Sequence, residues 1–369
     1  MSDTTAGAVD RRRVTIAQVA KRAGVSTSAV SHVFNGRPNV SAATAARIRK
    51  AADDLNWRPN LASRKLSGSA GRSLGLVLAR SRDTFQRDPF TMRLIAGLTE
   101  PLAAIGWSLS VTLVQADDEA AVYRQWWTEQ RVDGFLLVDV RTDDPRVSML
   151  QHLSAPAVML GAPIPGSTVP AVTVSDADAT EALLDHLGQL GHRRIARVGD
   201  GPALAHTGAR DARFTAAAGR RGVDALVLGW RADAEDPVAD LLGRLDGATA
   251  IVLDGEAIAA EVVAHAPELG VRVPEDLSVV AWEDSWVSSI VRPSLTALDA
   301  PVEESARTAV ALVERLARGD EVADAEVGGR ALHVRGSTGP APSTDAATAS
   351  TGAAATGAAA APATEGGDR

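Results

Sequence analysis

Between Gly24 and Asn39 the chain concentrates short polar side chains: Ser26, Thr27, Ser28, Ser31 and His32, followed by Asn35 and Asn39. Hydroxyls and an imidazole can both donate and accept hydrogen bonds. On the outer face of a helix they have the reach to meet base edges in a DNA major groove. A second group is spread over the rest of the chain: Asp88, Phe90, Arg210, Trp230, Asp254, Glu256, Trp282 and Glu283. An arginine with carboxylates hydrogen-bonds vicinal hydroxyls, and an aromatic face covers the C–H side of a sugar ring. Both groups suit holding a partner rather than transforming one. The G-x-S-x-G spelled by residues 71–75 precedes a strand pattern, whereas a nucleophile needs a strand-to-helix turn. His186 and His192 have no further ligands at metal-binding spacing, and no glycine loop with a lysine offers a phosphate cradle. Cysteine is absent, which removes disulfides, thiolate zinc sites and thiol nucleophiles. The reading is therefore no enzyme, no metal and no cofactor.

The first group needs a helical scaffold, and residues 14–55 supply one. Thr15-Ile16-Ala17-Gln18 spells a capping box, in which the hydroxyl covers a free helix N–H and the glutamine reaches back. Ile16, Val19, Ala20 and Ala23 share one face of the helix that follows. Gly24 supplies a tight turn, and Ser26 caps a second helix running to about residue 35. Val30, Val33 and Phe34 turn back onto the first helix, leaving Thr27, Ser28 and His32 outside. This is a helix-turn-helix. Ser41 caps a third helix with Ile48, Ala52 and Leu55 inward and Arg47, Arg49 and Lys50 free for phosphate or solvent. Charge agrees: residues 11–70 hold twelve Lys/Arg against Asp53 and Asp54, a net +10 in a chain of net −8. A basic segment on an acidic body suggests one polyanion-binding face.

The second group needs strand ends. From residue 73, short Val/Leu/Ile runs alternate with Ala/Leu-rich helical patterns. Strands are expected at 74–79, 109–114, 134–138, 157–160, 194–198, 225–228, 250–253 and 277–282, with helices at 92–105, 177–190, 209–221 and 302–318. Such alternation implies parallel sheets covered on both faces, and the length allows two. Ligands of open α/β sheets bind beyond the carboxyl ends of the strands, where several residues of the second group fall. Residues 1–10 are polar, and residues 339–369 are rich in Ala, Thr, Gly and Pro without apolar periodicity, so both are expected to be disordered. Apolar residues make up 45% of the chain without a membrane-length run, and no secretory signal follows Arg11, Arg12 and Arg13. A cytoplasmic protein with no membrane partner is the expectation.

The stretch VTIAQVAKRAGVSTSAVSHVFNG, followed by VS and LNWRPN, resembles the headpiece of the lactose-repressor (LacI) family of transcription regulators. The resemblance implies that Thr27, Ser28 and His32 read bases, with Thr15, Ser26, Ser31, Asn35 and Asn39 completing the DNA-contacting set. Many relatives carry arginine where His32 stands, which implies an unusual operator half-site. Residues 60–66, Asn-Leu-Ala-Ser-Arg-Lys-Leu, resemble the family's hinge, which becomes helical on DNA and drives a leucine into the minor groove. Leu66 stands at that leucine's position, with Arg64 beside it and Ser63 replacing the usual alanine.

Residues 73–338 resemble the family's periplasmic-binding-protein-like core, in which two α/β subdomains close on a small ligand. Crossings between them are expected near 174, 300 and 330. Asp88 and Phe90, Arg210, Trp230, Glu256, Trp282 and Glu283 fall on segments that line the family's cleft. Two departures stand out: Arg213 replaces a glycine and Glu283 an aspartate. Trp230 and Trp282 also admit a reading as core residues, and Arg210 one as a surface ion pair.

The expected fold is an N-terminal all-α helix-turn-helix headpiece (11–59), a hinge helix and linker (60–72), and an α/β core of two doubly wound parallel-sheet subdomains (73–338). The expected function is sequence-specific transcriptional regulation, most simply repression, by a homodimer on a pseudo-palindromic operator. A small effector in the cleft, a sugar or sugar derivative, controls DNA affinity; a purine or other metabolite stays open. An effector-blind regulator and a solute-binding receptor are the alternatives.

Overall fold

The computed structural model describes residues 14–34, 40–55, 57, 72–199 and 204–343. It divides into two compact units, residues 1–72 and 73–369.

Among the described residues the first unit has three helices: α1 Ile16–Ala23, α2 Thr27–Phe34 and α3 Ala42–Asp54. Gly24 ends α1 at φ 63°, and its N–H reaches back to the α1 carbonyls; a side chain there would strain the left-handed backbone. Ser26 accepts from the Ala29 N–H at 3.2 Å, and Ser41 from the Thr44 N–H at 3.3 Å. Val19, Ala20, Ala23, Val30, Ile48 and Ala52 form the core with Trp57. Trp57 meets Phe34 edge to face at 5.3 Å between ring centroids, a favoured aromatic geometry.

Among its described residues the second unit holds two six-stranded sheets. The first joins β1 Ser73–Leu78, β2 Ser108–Leu113, β3 Gly134–Leu137, β4 Ala157–Leu160, β5 Ala171–Val174 and β11 Ala325–Val327, in the order β11-β5-β4-β3-β1-β2. The second joins β6 Arg194–Gly199, β7 Asp224–Gly229, β8 Ala250–Leu253, β9 Ser278–Ala281, β10 Thr296–Asp299 and β12 Ala331–His333, in the order β12-β10-β9-β8-β6-β7. Every pairing is parallel except β10 with β12. The inner strands β1, β3, β8 and β9 are buried throughout, as continuous apolar runs between two helical layers should be. The edge strands β2 and β7 are partly exposed.

The chain crosses between sheets after β5, after β10 and between β11 and β12, at the three expected places. The helix Val302–Arg318 follows β10 of the second sheet yet packs on the first. Its Val302, Ala306, Ala309, Val310 and Val313 recur at helical spacing and join Leu94, Leu98 and Leu136 in one core. Gly134 of β3 lies under this helix: a Cβ there would stand 2.5 Å from Val313 Cγ1.

Three short strands, β5, β10 and β11, were not expected as strands. The helix expected from 92 begins at Pro89, and the helix expected from 209 begins at Ala205. The core also does not end at 338. Gly339 donates to Ser278 Oγ at 3.1 Å, and the Ala341 N–H donates to Leu190 O at 2.8 Å. Residues 339–341 are held by their backbone N–H groups rather than by apolar side chains, so composition, which reads only the latter, places the tail boundary too early. Among the described residues no helix is long and apolar enough to cross a membrane.

Candidate DNA-reading face and ligand cleft

At 100° per residue, Thr27, Ser28, Ser31 and His32 lie on one side of α2 and Val30, Val33 and Phe34 on the other. Thr27 and Ser28 are exposed, and Ser31 and His32 half-buried. The Ser26 and Ser28 hydroxyls lie 2.8 Å apart. Thr15 is exposed at the start of α1; its N–H donates to Gln18 Oε1 at 2.7 Å, and its hydroxyl donates to the same atom at 3.2 Å. The expected capping box between Thr15 and Gln18 is thus formed. Arg47 and Arg49 are exposed along α3. Lys50 is not free: it pairs with Asp54 at 3.6 Å, as does Arg22 at 3.2 Å. Asn35, Asn39, Arg64 and Leu66 lie outside the described residues, and with them the expected hinge.

A cavity of about 1080 Å³ opens between the two sheets of the second unit. It is slightly larger than the roughly 300–1,000 Å³ usual for small-molecule sites. Three carboxylates and three arginines organise its second-sheet wall. Arg210 donates to Asp176 at 3.3 Å, Asp254 at 3.2 Å and Glu283 at 3.4 Å. Arg330 donates to Asp176 at 2.7 Å and to Glu283 at 2.9 Å. Arg197, fully buried, pairs with Asp254. Burial alone would push the Asp176 and Asp254 carboxyls up. Arg330 and Arg210 hold Asp176 below the usual range, and Arg197 and Arg210 do the same for Asp254.

The first-sheet wall is built alike. Arg80, just past β1, pairs with Asp88 and with Asp139 at 2.6 Å. Asp88 also caps the helix Pro89–Ala104, accepting from the Thr91 N–H at 3.1 Å. Arg146, 2% exposed, is fixed by Glu119 at 2.5 Å and Asp144 at 2.6 Å, and Arg141 meets Glu119 at 3.2 Å. The lobes touch directly where the Ala205 N–H donates to Val140 O at 2.8 Å.

Asp88, Phe90, Arg210, Trp230, Glu256 and Glu283 all line the cavity. Trp282 does not: it is fully buried in the second-sheet core, with the Arg197 and Arg210 guanidiniums 5.0 and 5.5 Å from its ring. The core reading of Trp282 is correct, because at the end of β9 its side chain turns under the sheet while its neighbour Glu283 faces the cleft. Trp282 therefore acts on the cleft through Arg210, as a cation–π floor. Arg210 is no surface ion pair, being 9% exposed. Arg213 does not disturb the backbone: the helix Ala205–Arg220 runs through it, and its side chain is exposed at the rim. Glu256 is 3% exposed, and its Oε1 has no hydrogen-bond partner among the described residues. Burial, and then the nearby Glu283, push its carboxyl up.

Sequence reasoning passed over Arg80, Asp139, Asp176, His206 and Arg330, all of which line the cavity. The signal was available: Arg80 and Asp139 directly follow β1 and β3, and Asp176 and Arg330 sit at two chain crossings. Burial holds the His206 imidazole below its ordinary range, assisted by Arg210.

A helix-turn-helix unit joined to a two-lobed ligand-binding unit defines the class of ligand-responsive DNA-binding regulators. Residues 15–60 match the model of the bacterial regulatory proteins of the lacI family, and residues 184–338 that of the periplasmic binding protein-like domain. The transcriptional regulator CelR of Thermobifida fusca is 30% identical over 318 residues, spanning 83% of this chain and 93% of the relative. The ribose operon repressor of Escherichia coli K12 is 30% identical over 319 residues, spanning 82% and 93%. Among solved structures, a CelR–cellobiose complex superposes with a TM-score of 0.66 at 26% identity, over 88% of this chain and all of that one. The lac repressor dimer bound to operator and the anti-inducer ONPF superposes at 0.77 over 89% of this chain and all of that one; at 23% identity it speaks for the fold alone. The chain belongs to the LacI family of bacterial transcription regulators.

Proposed function

We propose that the chain represses transcription as a homodimer on a pseudo-palindromic operator in the cytoplasm, and that a carbohydrate in the cleft sets its DNA affinity. The observation that carries this reading is the pairing of an outward polar face on α2 with a cleft whose polar groups come from both lobes. Thr27, Ser28, Ser31 and His32 read base edges, with Thr15 and Ser26 at helix starts positioned toward phosphate. Asn35, Asn39, Arg64 and the Leu66 wedge keep the roles that the family resemblance implies. In the cleft, Arg210, Glu283 and Asp88 bind hydroxyls while Phe90 and Trp230, from opposite lobes, cover ring faces. The cellobiose complex of CelR and the name of the ribose operon repressor support a carbohydrate. The relatives are regulators, and no enzymatic role is proposed. An effector moves the balance only by binding one conformation more tightly than the other.

The test is selection of the DNA site from a random pool, followed by affinity measurements with His32→Ala. The variant should lose about 1–3 kcal/mol of specific binding and relax the preference at one position of each half-site, while non-specific binding persists. An unchanged preference would remove His32 from base reading.

A further inference from the structure

Every cation deep in the cleft is already neutralised. Arg80, Arg141, Arg146, Arg210 and Arg330 each pair with a carboxylate of the same cavity wall. Arg87 and Arg213, which carry no ion pair among the described residues, are exposed at the rim, where water screens them. Carboxylates are in surplus: once the exposed Asp83, Glu261 and Glu326 are set aside as the rim arginines are, seven acidic residues among the described residues line the cavity against five arginines and no lysine. One of the seven, Glu256, is nine-tenths or more buried, lies near Glu283 and has an oxygen without a hydrogen-bond partner among the described residues. The interior thus lacks positive charge, not negative.

From this balance we infer that the cleft takes an uncharged or amino-bearing carbohydrate and rejects phosphorylated and acidic ones, with Glu256 among the groups that set the exclusion. The inference rests on the carbohydrate reading above. A sugar phosphate or uronate would have to break an ion pair to find a counter-charge, or lie unpaired beside carboxylates; both are costly away from water. A hydroxyl or ammonium donor meets carboxylate oxygens that still have free lone pairs, since each accepts more than one hydrogen bond.

The experiment is calorimetric titration of the full chain with neutral mono- and disaccharides, each beside its charged counterparts. Glucose, glucose 6-phosphate, glucuronate and glucosamine form one such set, and cellobiose and its phosphorylated and oxidised forms another. A neutral or amino sugar should bind, and its phosphorylated or acidic counterpart should bind about tenfold more weakly or not at all. A charged counterpart that binds more tightly than its neutral parent overturns the inference and leaves the carbohydrate reading standing. Binding by no sugar overturns both. Glu256→Gln should narrow the neutral-to-anionic affinity ratio several-fold; a ratio identical to that of the unaltered chain overturns the assignment to Glu256.

Discussion

Arg210 shares its carboxylates with two other arginines, so its removal strands none of them: Asp254 keeps Arg197, and Asp176 and Glu283 keep Arg330. Arg210→Ala should therefore fold with a small loss in denaturant midpoint while losing effector binding in calorimetry. Asp254→Ala should behave otherwise. It leaves the fully buried Arg197 with Asp211, at 3.5 Å, as its one carboxylate among the described residues, beside the Val198 and Val252 carbonyls, and breaking a buried pair from one side costs about 3–5 kcal/mol. Equal destabilisation by the two substitutions would mean that the network is not divided as described. Glu256 gives a pH-dependent prediction. Burial and Glu283 raise its carboxyl above the unfolded value, so its contribution to stability is present at low pH and lost as pH rises through the folded pKa. Glu256→Gln should then raise the melting temperature at pH 8 and give no gain well below pH 4; a gain of equal size at both would refute the charge argument.

At the scale of elements, close approach between β3 and the helix Val302–Arg318 depends on Gly134. Gly134→Ala places a methyl 2.5 Å from Val313 Cγ1, and overpacking of this kind costs about 1–3 kcal/mol. The expected result is a lower unfolding midpoint for the second unit, with the headpiece transition unchanged. Most elements were legible because their residues repeat strongly. The Ile16–Ala23 pattern closed by Gly24, and the apolar runs of β1, β3 and β8, each announce their structure. Strands β5, β10 and β11 span only three or four residues at chain crossings, too short to show a period. Trp282 was ambiguous for a related reason: just past the end of β9, alternation no longer says which side chain goes inward. Asp176 and Arg330 stand 154 positions apart, and local pattern carries no trace of their pairing. Glu256 and Glu283 could be placed near the cleft, but their electrostatic surplus depends on where all the arginines point.

Across the whole molecule, the two lobes of the second unit are linked by three chain crossings and by the Ala205–Val140 backbone bond. Polar groups of both lobes meet the same cavity, so a ligand touching both stabilises one relative position of the lobes over another. Differential affinity of this kind typically amounts to about 1–3 kcal/mol between sites. The most direct measurement is the affinity of the full chain for its selected DNA site, by fluorescence anisotropy, with and without a saturating sugar found by calorimetry. The sugar should change that affinity by about fivefold or more, an effect abolished in Arg210→Ala while that variant's affinity for DNA without sugar is retained. A sugar that binds the cleft and leaves DNA affinity unchanged would contradict this coupling.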